Sequence, residues 1–164
     1  MKMKNAFILT VMLFMTSMFT LQAQTPSFSG EWTLNQERST VGSSELFLSK
    51  LTVQHKSDSL LTHRVYANQW GEQYPFSENL SLDGKESKIW IYEMPRTSKA
   101  TFSARDRKLK LESVTTFSDW SGSQDLKTQE VWSVEDGGRT LKIEVAMSAE
   151  AGDFTGLQYF DRVK

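Results

Sequence analysis

The chain reads as an all-β protein, an antiparallel up-and-down β-barrel of about 8–10 strands, on three observations. Apolar and polar residues alternate with a period of two, turn-forming stretches recur at near-even spacing, and no segment after the first two dozen residues carries a long apolar face at helical spacing. The cleanest alternation sets Leu141, Ile143, Val145 and Met147 against Lys142, Glu144, Ala146 and Ser148, as in a strand with one face in a core and the other in water.

Applied along the chain, this pattern predicts ten strands, over residues 28–35, 49–56, 60–67, 73–82, 85–93, 99–105, 108–117, 126–134, 140–148 and 154–162. Residues 36–48 are ambiguous, with room for a short helical turn. Every even-numbered connection is short: Ser57-Asp58-Ser59, Asp83-Gly84, Asp106-Arg107 and the stretch from Glu135 to Arg139. The odd-numbered ones, 36–50, 68–72, 94–98, 118–125 and 149–153, read as longer or looser. Successive connections of a meander fall at alternate ends of the sheet, so the expectation is a base of tight hairpins and a rim of open loops.

Ahead of the strands, Lys2 and Lys4 precede an uncharged run from Ala6 to Leu21 that ends at Gln22-Ala23-Gln24. A basic start, an apolar middle and a small residue at the end are the parts of a secretory signal peptide, expected over residues 1–23 with cleavage after Ala23. Such a run approaches the length of a bilayer span, but Thr10, Thr16, Ser17 and Thr20 dilute it, so no stable membrane insertion is expected after cleavage. Residues 24–164 then form one domain, in the periplasm or secreted.

Removing the leader takes away two lysines and no acid, moving the formal charge from -1 to about -3. No basic stripe is present, which argues against a nucleic-acid partner, because phosphate neutralisation needs clustered Lys and Arg. There is no cysteine, which excludes a lipid-bearing lipobox cysteine, a thiol nucleophile, a thiolate metal site and any disulfide. The domain therefore relies on its core, for which about 140 residues suffice.

Three stations carry a family resemblance. They are Phe28-Ser29-Gly30-Glu31-Trp32-Thr33-Leu34-Asn35 followed by Glu37-Arg38-Ser39, the run Val131-Trp132-Ser133-Val134-Glu135-Asp136-Gly137-Gly138-Arg139-Thr140-Leu141, and Tyr159-Phe160-Asp161-Arg162. The chain resembles the small secreted bacterial lipocalin-like (calycin-type) β-barrel domains. The resemblance implies that Gly30, Trp32 and Arg162 form the closed end, the Trp plugging the base and the Arg packing over it where the first and last strands meet. It also implies a cup that holds a small apolar or amphipathic ligand.

If one face of each strand points inward, Tyr74, Phe76, Phe102, Phe117, Trp132 and Met147 are wall residues, and aromatic interiors suit small apolar or ring-shaped ligands. A barrel of eight strands already encloses little more than side chains, so these same residues also fit a filled core. Two tryptophans, in Asn68-Gln69-Trp70-Gly71 and Ser118-Asp119-Trp120-Ser121-Gly122, go to the rim. A large aromatic in a polar loop either plugs the core or offers a flat face to a ligand or partner. Met94-Pro95-Arg96, in a third rim loop, offers an apolar contact and a positive charge, although an arginine there is more often merely solvated.

Catalytic constellations are thin. His55 and His63 are the only histidines, and parity with Val53 and Val65 sends both inward. Glu78, Glu93 and Glu130 lie within predicted strands, and a carboxylate among aromatics can act as a general acid or base with a raised pKa. A metal, heme or catalytic role through His63 or Glu130 is the weakest reading, and no cofactor is called for. The leading expectation is a binding protein for a small apolar or amphipathic molecule, and the alternative is an envelope module whose rim aromatics dock a protein or a carbohydrate.

Overall fold

The computed structural model describes residues 27–40, 46–120, 122–150 and 152–164. The expected leader lies outside them, as do residues 41–45 of the ambiguous stretch before the second strand. Ten antiparallel strands follow in order: β1 (Gly30–Leu34), β2 (Leu46–His55), β3 (Ser59–Asn68), β4 (Gln73–Ser81), β5 (Ser87–Ile91), β6 (Met94–Ser103), β7 (Lys108–Asp119), β8 (Gly122–Glu135), β9 (Thr140–Ala149) and β10 (Gly152–Arg162). Their spatial order, β4-β3-β2-β1-β10-β9-β8-β7-β6-β5, is an up-and-down meander whose first and last strands pair, giving a nearly closed barrel.

The connections alternate ends as the meander requires, but the contrast in their lengths disappears. Ile91 pairs with Met94, Asp119 with Gly122 and Ala149 with Gly152, so three of the five rim connections are two-residue hairpins. The sequence reading took Met94-Pro95-Arg96, Ser118-Asp119 and Asp153 for loop because Pro, Ser and Asp are turn formers, yet the ladder extends through them. The base turns are longer than these three hairpins, although the longest connection, 35–45, belongs to the rim. Those at the base include the 82–86 connection, tied to β6 by an isolated Asp83–Thr101 bridge, and a 3-10 turn at Asp136–Gly138.

At the base, Trp32 and Arg162 are direct register partners on β1 and β10. The Trp32 ring is buried, its Nε1 donates to the Phe28 carbonyl at 3.0 Å, and the Arg162 guanidinium carbon lies 4.1 Å from the ring centroid. Arg162 also donates from Nε to the Gly138 carbonyl and from Nη1 to the Ser29 carbonyl, both at 2.6 Å. Gly30 is required here for two reasons: its φ of +143° disfavours a side chain, and a Cβ would overlap the Arg162 guanidinium. The Gly-x-Trp and the distant Arg are therefore one structural unit.

Between β4 and β5 there is no ladder. The open seam thus lies away from the first and last strands, which pair where the barrel closes as expected, with four strands, β1 to β4, on one side of that junction and six, β5 to β10, on the other. Side chains bridge it: Ser87 Oγ donates to the Asn79 carbonyl at 3.0 Å and Tyr92 Oη to the Pro75 carbonyl at 3.2 Å. Pro75, which has no N–H to give a ladder, sits on β4, a strand paired on only one side.

Candidate functional site

The inner face changes chemistry along the barrel axis. Nearest the base, Phe28, Trp32, Leu60, Leu80, Leu109, Trp132, Leu141 and Phe160 form a dry apolar plug. One step toward the rim, the side chains turn polar and charged: Thr62 and Arg64 on β3, Glu78 on β4, Arg96 and Ser98 on β6, Ser113 and Thr115 on β7, Glu130 on β8 and Gln158 on β10. Above that layer the walls become apolar again and enclose a cavity of about 340 Å³.

Arg64 and Glu130 form the centre of the polar layer. Arg64 donates from Nη1 and Nη2 to the two Glu130 oxygens at 2.8 and 3.0 Å, and Trp132 Nε1 adds a third donor at 2.7 Å. The guanidinium also lies over the Trp132 ring, 5.4 Å from its centroid. Burial pushes the Glu130 carboxyl upward, but the Arg64 charge, the two Arg64 hydrogen bonds and the Trp132 N–H outweigh it and hold the group below the ordinary carboxylate value. Burial likewise disfavours the Arg64 cation, and Glu130 more than offsets this, raising the guanidinium above its usual value. Glu130 is thus a structural carboxylate and not the raised-pKa acid or base its aromatic setting suggested.

The second pair is looser. Arg96, 8 % exposed, approaches the buried Glu78 at 3.6 Å, too far for a hydrogen bond, while its Nη1 donates to Thr115 Oγ1 at 3.1 Å and its guanidinium sits over Phe76. Arg96 Nε, both Glu78 oxygens and the Ser98 and Ser113 hydroxyls have no hydrogen-bond partner. Arg96 is therefore part of the cavity floor and not the solvated loop residue of the sequence reading.

Of the residues named from sequence, Tyr74, Phe76, Phe117 and Met147 line the cavity together. Trp132 and Phe102 face inward but at the wrong depth. Both pair with Leu109, which fixes their height near the base, so Trp132 joins the plug, and Phe102 packs against Phe28 and His55 at 6.2 and 5.4 Å between ring centroids. Trp70 and Trp120 lie at the rim but outside the lining, 69 % and 99 % exposed. Trp70 is held there by Asn68, whose Oδ1 accepts from the Trp70 and Glu72 backbone N–H groups.

The histidines separate. His55 is half-buried at the base, where burial lowers its pKa, and His63 is exposed on the outer face with Nδ1 2.9 Å from Ser77 Oγ. The parity that placed His63 inside was anchored on Val65, an apolar residue on the outer face, whereas the inner face of β3 carries Thr62, Arg64 and Tyr66. Among the described residues, no group of three or more potential ligands is gathered for a metal. Sequence reasoning missed Arg64, although the parity Leu60, Thr62, Arg64, Tyr66 was available to find it, and named Arg96 only as a rim-loop residue when it lies on β6.

Other lining residues complete an amphipathic chamber. Tyr66 stacks on Phe76 at 6.0 Å with planes 9° apart, and Leu48, Leu126, Val145 and Phe154 supply aliphatic and aromatic wall. Arg96, Thr115, Thr128, Glu130 and Gln158 supply the polar groups. Compared with known protein families, curated proteins and solved structures, the chain matches none.

Proposed function

We propose that this protein is an exported, lipocalin-like binding protein that takes a small amphipathic molecule through the rim end of its barrel. The observation that carries the reading is the cavity of about 340 Å³ with an aromatic wall and a polar floor, within the size range of small-ligand sites. A merely filled barrel has no reason to leave such a space above a buried charged layer. At roughly 30 Å³ of liquid volume per atom-sized unit, the chamber accommodates about eleven non-hydrogen atoms, with the mouth free to pass a longer tail.

The test is titration of the purified mature domain with an apolar fluorescent dye, combined with native mass spectrometry of freshly prepared protein. Saturable one-to-one dye binding, or a co-purified mass, supports the reading, and absence of both removes it. Export is tested by sequencing the amino terminus of the protein recovered from cells, which is expected to begin at Gln24.

A second reading rests on Trp70 and Trp120. Two exposed tryptophans at the mouth of a barrel are flat apolar faces suited to docking a protein or a carbohydrate. Loss of partner capture on replacing both by alanine, with dye binding intact, supports this role in addition to the cavity.

A further inference from the structure

Charge balance in the barrel interior sets the class of head group the cavity accepts, given its reading as a ligand site. Among the described residues, the buried charged side chains are Arg64, Arg96, Glu78 and Glu130, two of each sign. Each cation has an anion facing it: Glu130 is fully occupied by Arg64 and Trp132, and Glu78 stands 3.6 Å from Arg96. A charged head seated on this floor is a fifth charge with no counter-charge. A carboxylate that takes Arg96 leaves Glu78 buried and unopposed, and an ammonium that takes Glu78 does the same to Arg96. An uncompensated buried charge is strongly unfavourable.

The exterior adds to the case against an anion. At the mouth, the described residues of the rim connections carry Glu72, Glu93 and Glu150 and no base, while Glu37 and Arg38 lie lower, beside Tyr159, whose ring the Arg38 guanidinium covers. The mouth is therefore acidic and disfavours the approach of negative charge.

An uncharged polar head meets neither obstacle and finds groups in need of partners. Arg96 Nε, on the cavity floor, is a donor without an acceptor, and below the lining the Glu78 oxygens are acceptors without donors and the Ser98 and Ser113 hydroxyls, direct register partners on β6 and β7, have no partner either. Leaving such buried groups unpaired costs more than a hydrogen bond returns, so the layer is poised for a group that both donates and accepts. We propose that the cavity selects uncharged amphiphiles whose head is a hydroxyl or a carboxamide, seated against Arg96, with the chain running up between Phe76, Phe117 and Met147.

The experiment is dye displacement at pH 7.4 by four molecules of matched size: 1-decanol, decanamide, decanoate and decylamine. Decanol or decanamide is expected to bind at least tenfold tighter than either charged homologue. Glu78→Gln, which leaves Arg96 unopposed, is expected to shift preference toward decanoate, and Arg96→Met toward decylamine, with circular dichroism establishing that each variant is folded. Tighter binding of decanoate or decylamine to the unmodified protein overturns the inference while leaving the cavity reading intact. Failure of the dye and all four molecules to bind removes the cavity reading, and the inference with it.

Discussion

The Arg162 guanidinium carbon sits over Trp32 at the closed end of the barrel, 4.1 Å from the ring centroid, although the two residues are 130 positions apart in the chain. The same guanidinium hydrogen-bonds the carbonyls of Ser29 and Gly138, so one side chain joins β1, β10 and the β8–β9 turn. Arg162→Ala is expected to cost about 2–4 kcal/mol from the lost cation–π contact and charge-assisted hydrogen bonds. Urea unfolding followed by tryptophan emission measures this, and a loss below about 0.5 kcal/mol, the range of ordinary surface substitutions, contradicts it.

Gly30→Val is expected to be as damaging as Arg162→Ala, since it adds backbone strain at φ +143° to a collision with the guanidinium. Pairing it with Arg162→Ala removes the collision but not the strain. The double variant should therefore lose less than the sum of the two singles, a non-additivity that a double-mutant cycle reads directly.

In the polar layer, Arg64→Met strands the Glu130 carboxylate and is expected to cost about 3–5 kcal/mol. Replacing both partners, Arg64→Met with Glu130→Leu, removes the uncompensated charge and should recover a large part of that loss. Equal or greater instability of the double variant in denaturant titration contradicts the assignment.

The same pair gives a pH dependence with a defined sign. Glu130 in the folded protein lies below its ordinary value of 4.5, so the unfolded chain binds the proton more readily in acid. Its contribution is fully present above about pH 4.5 and declines as pH falls through the folded value. The stability gap between the unmodified protein and Glu130→Gln should therefore be largest near pH 7 and narrower at pH 3. His55 acts in the same direction at higher pH: burial lowers its pKa from 6.5, so its protonation below that value favours unfolding.

How much of this was legible in the sequence depended on what each residue type signals. Period-two alternation and turn chemistry located all ten strands, and the Gly30-Glu31-Trp32 motif with Arg162 located the base. Parity put Tyr74, Phe76, Phe117 and Met147 inside, where they are. Depth was not legible, because height along the axis is set by cross-strand register, and Phe102 and Trp132 were therefore taken for wall when they belong to the plug. The charged floor was hidden for another reason: Arg and Glu in a strand ordinarily signal a solvated face, and only partners brought from distant strands make Arg64 with Glu130, or Arg96 with Glu78, tolerable inside.

Binding in the barrel interior is tested most directly by filling it. Val145 is a cavity-lining residue on β9 and the direct register partner of Glu130, and Val145→Trp puts an indole into the cavity beside that carboxylate while leaving the rim untouched. Dye titration of this variant, folded by circular dichroism, is expected to show affinity reduced at least tenfold, whereas Trp70→Ala with Trp120→Ala leaves it within about threefold. Unchanged dye affinity in Val145→Trp, or its loss on removing the two exposed tryptophans, would place binding on the outside of the barrel and contradict the account.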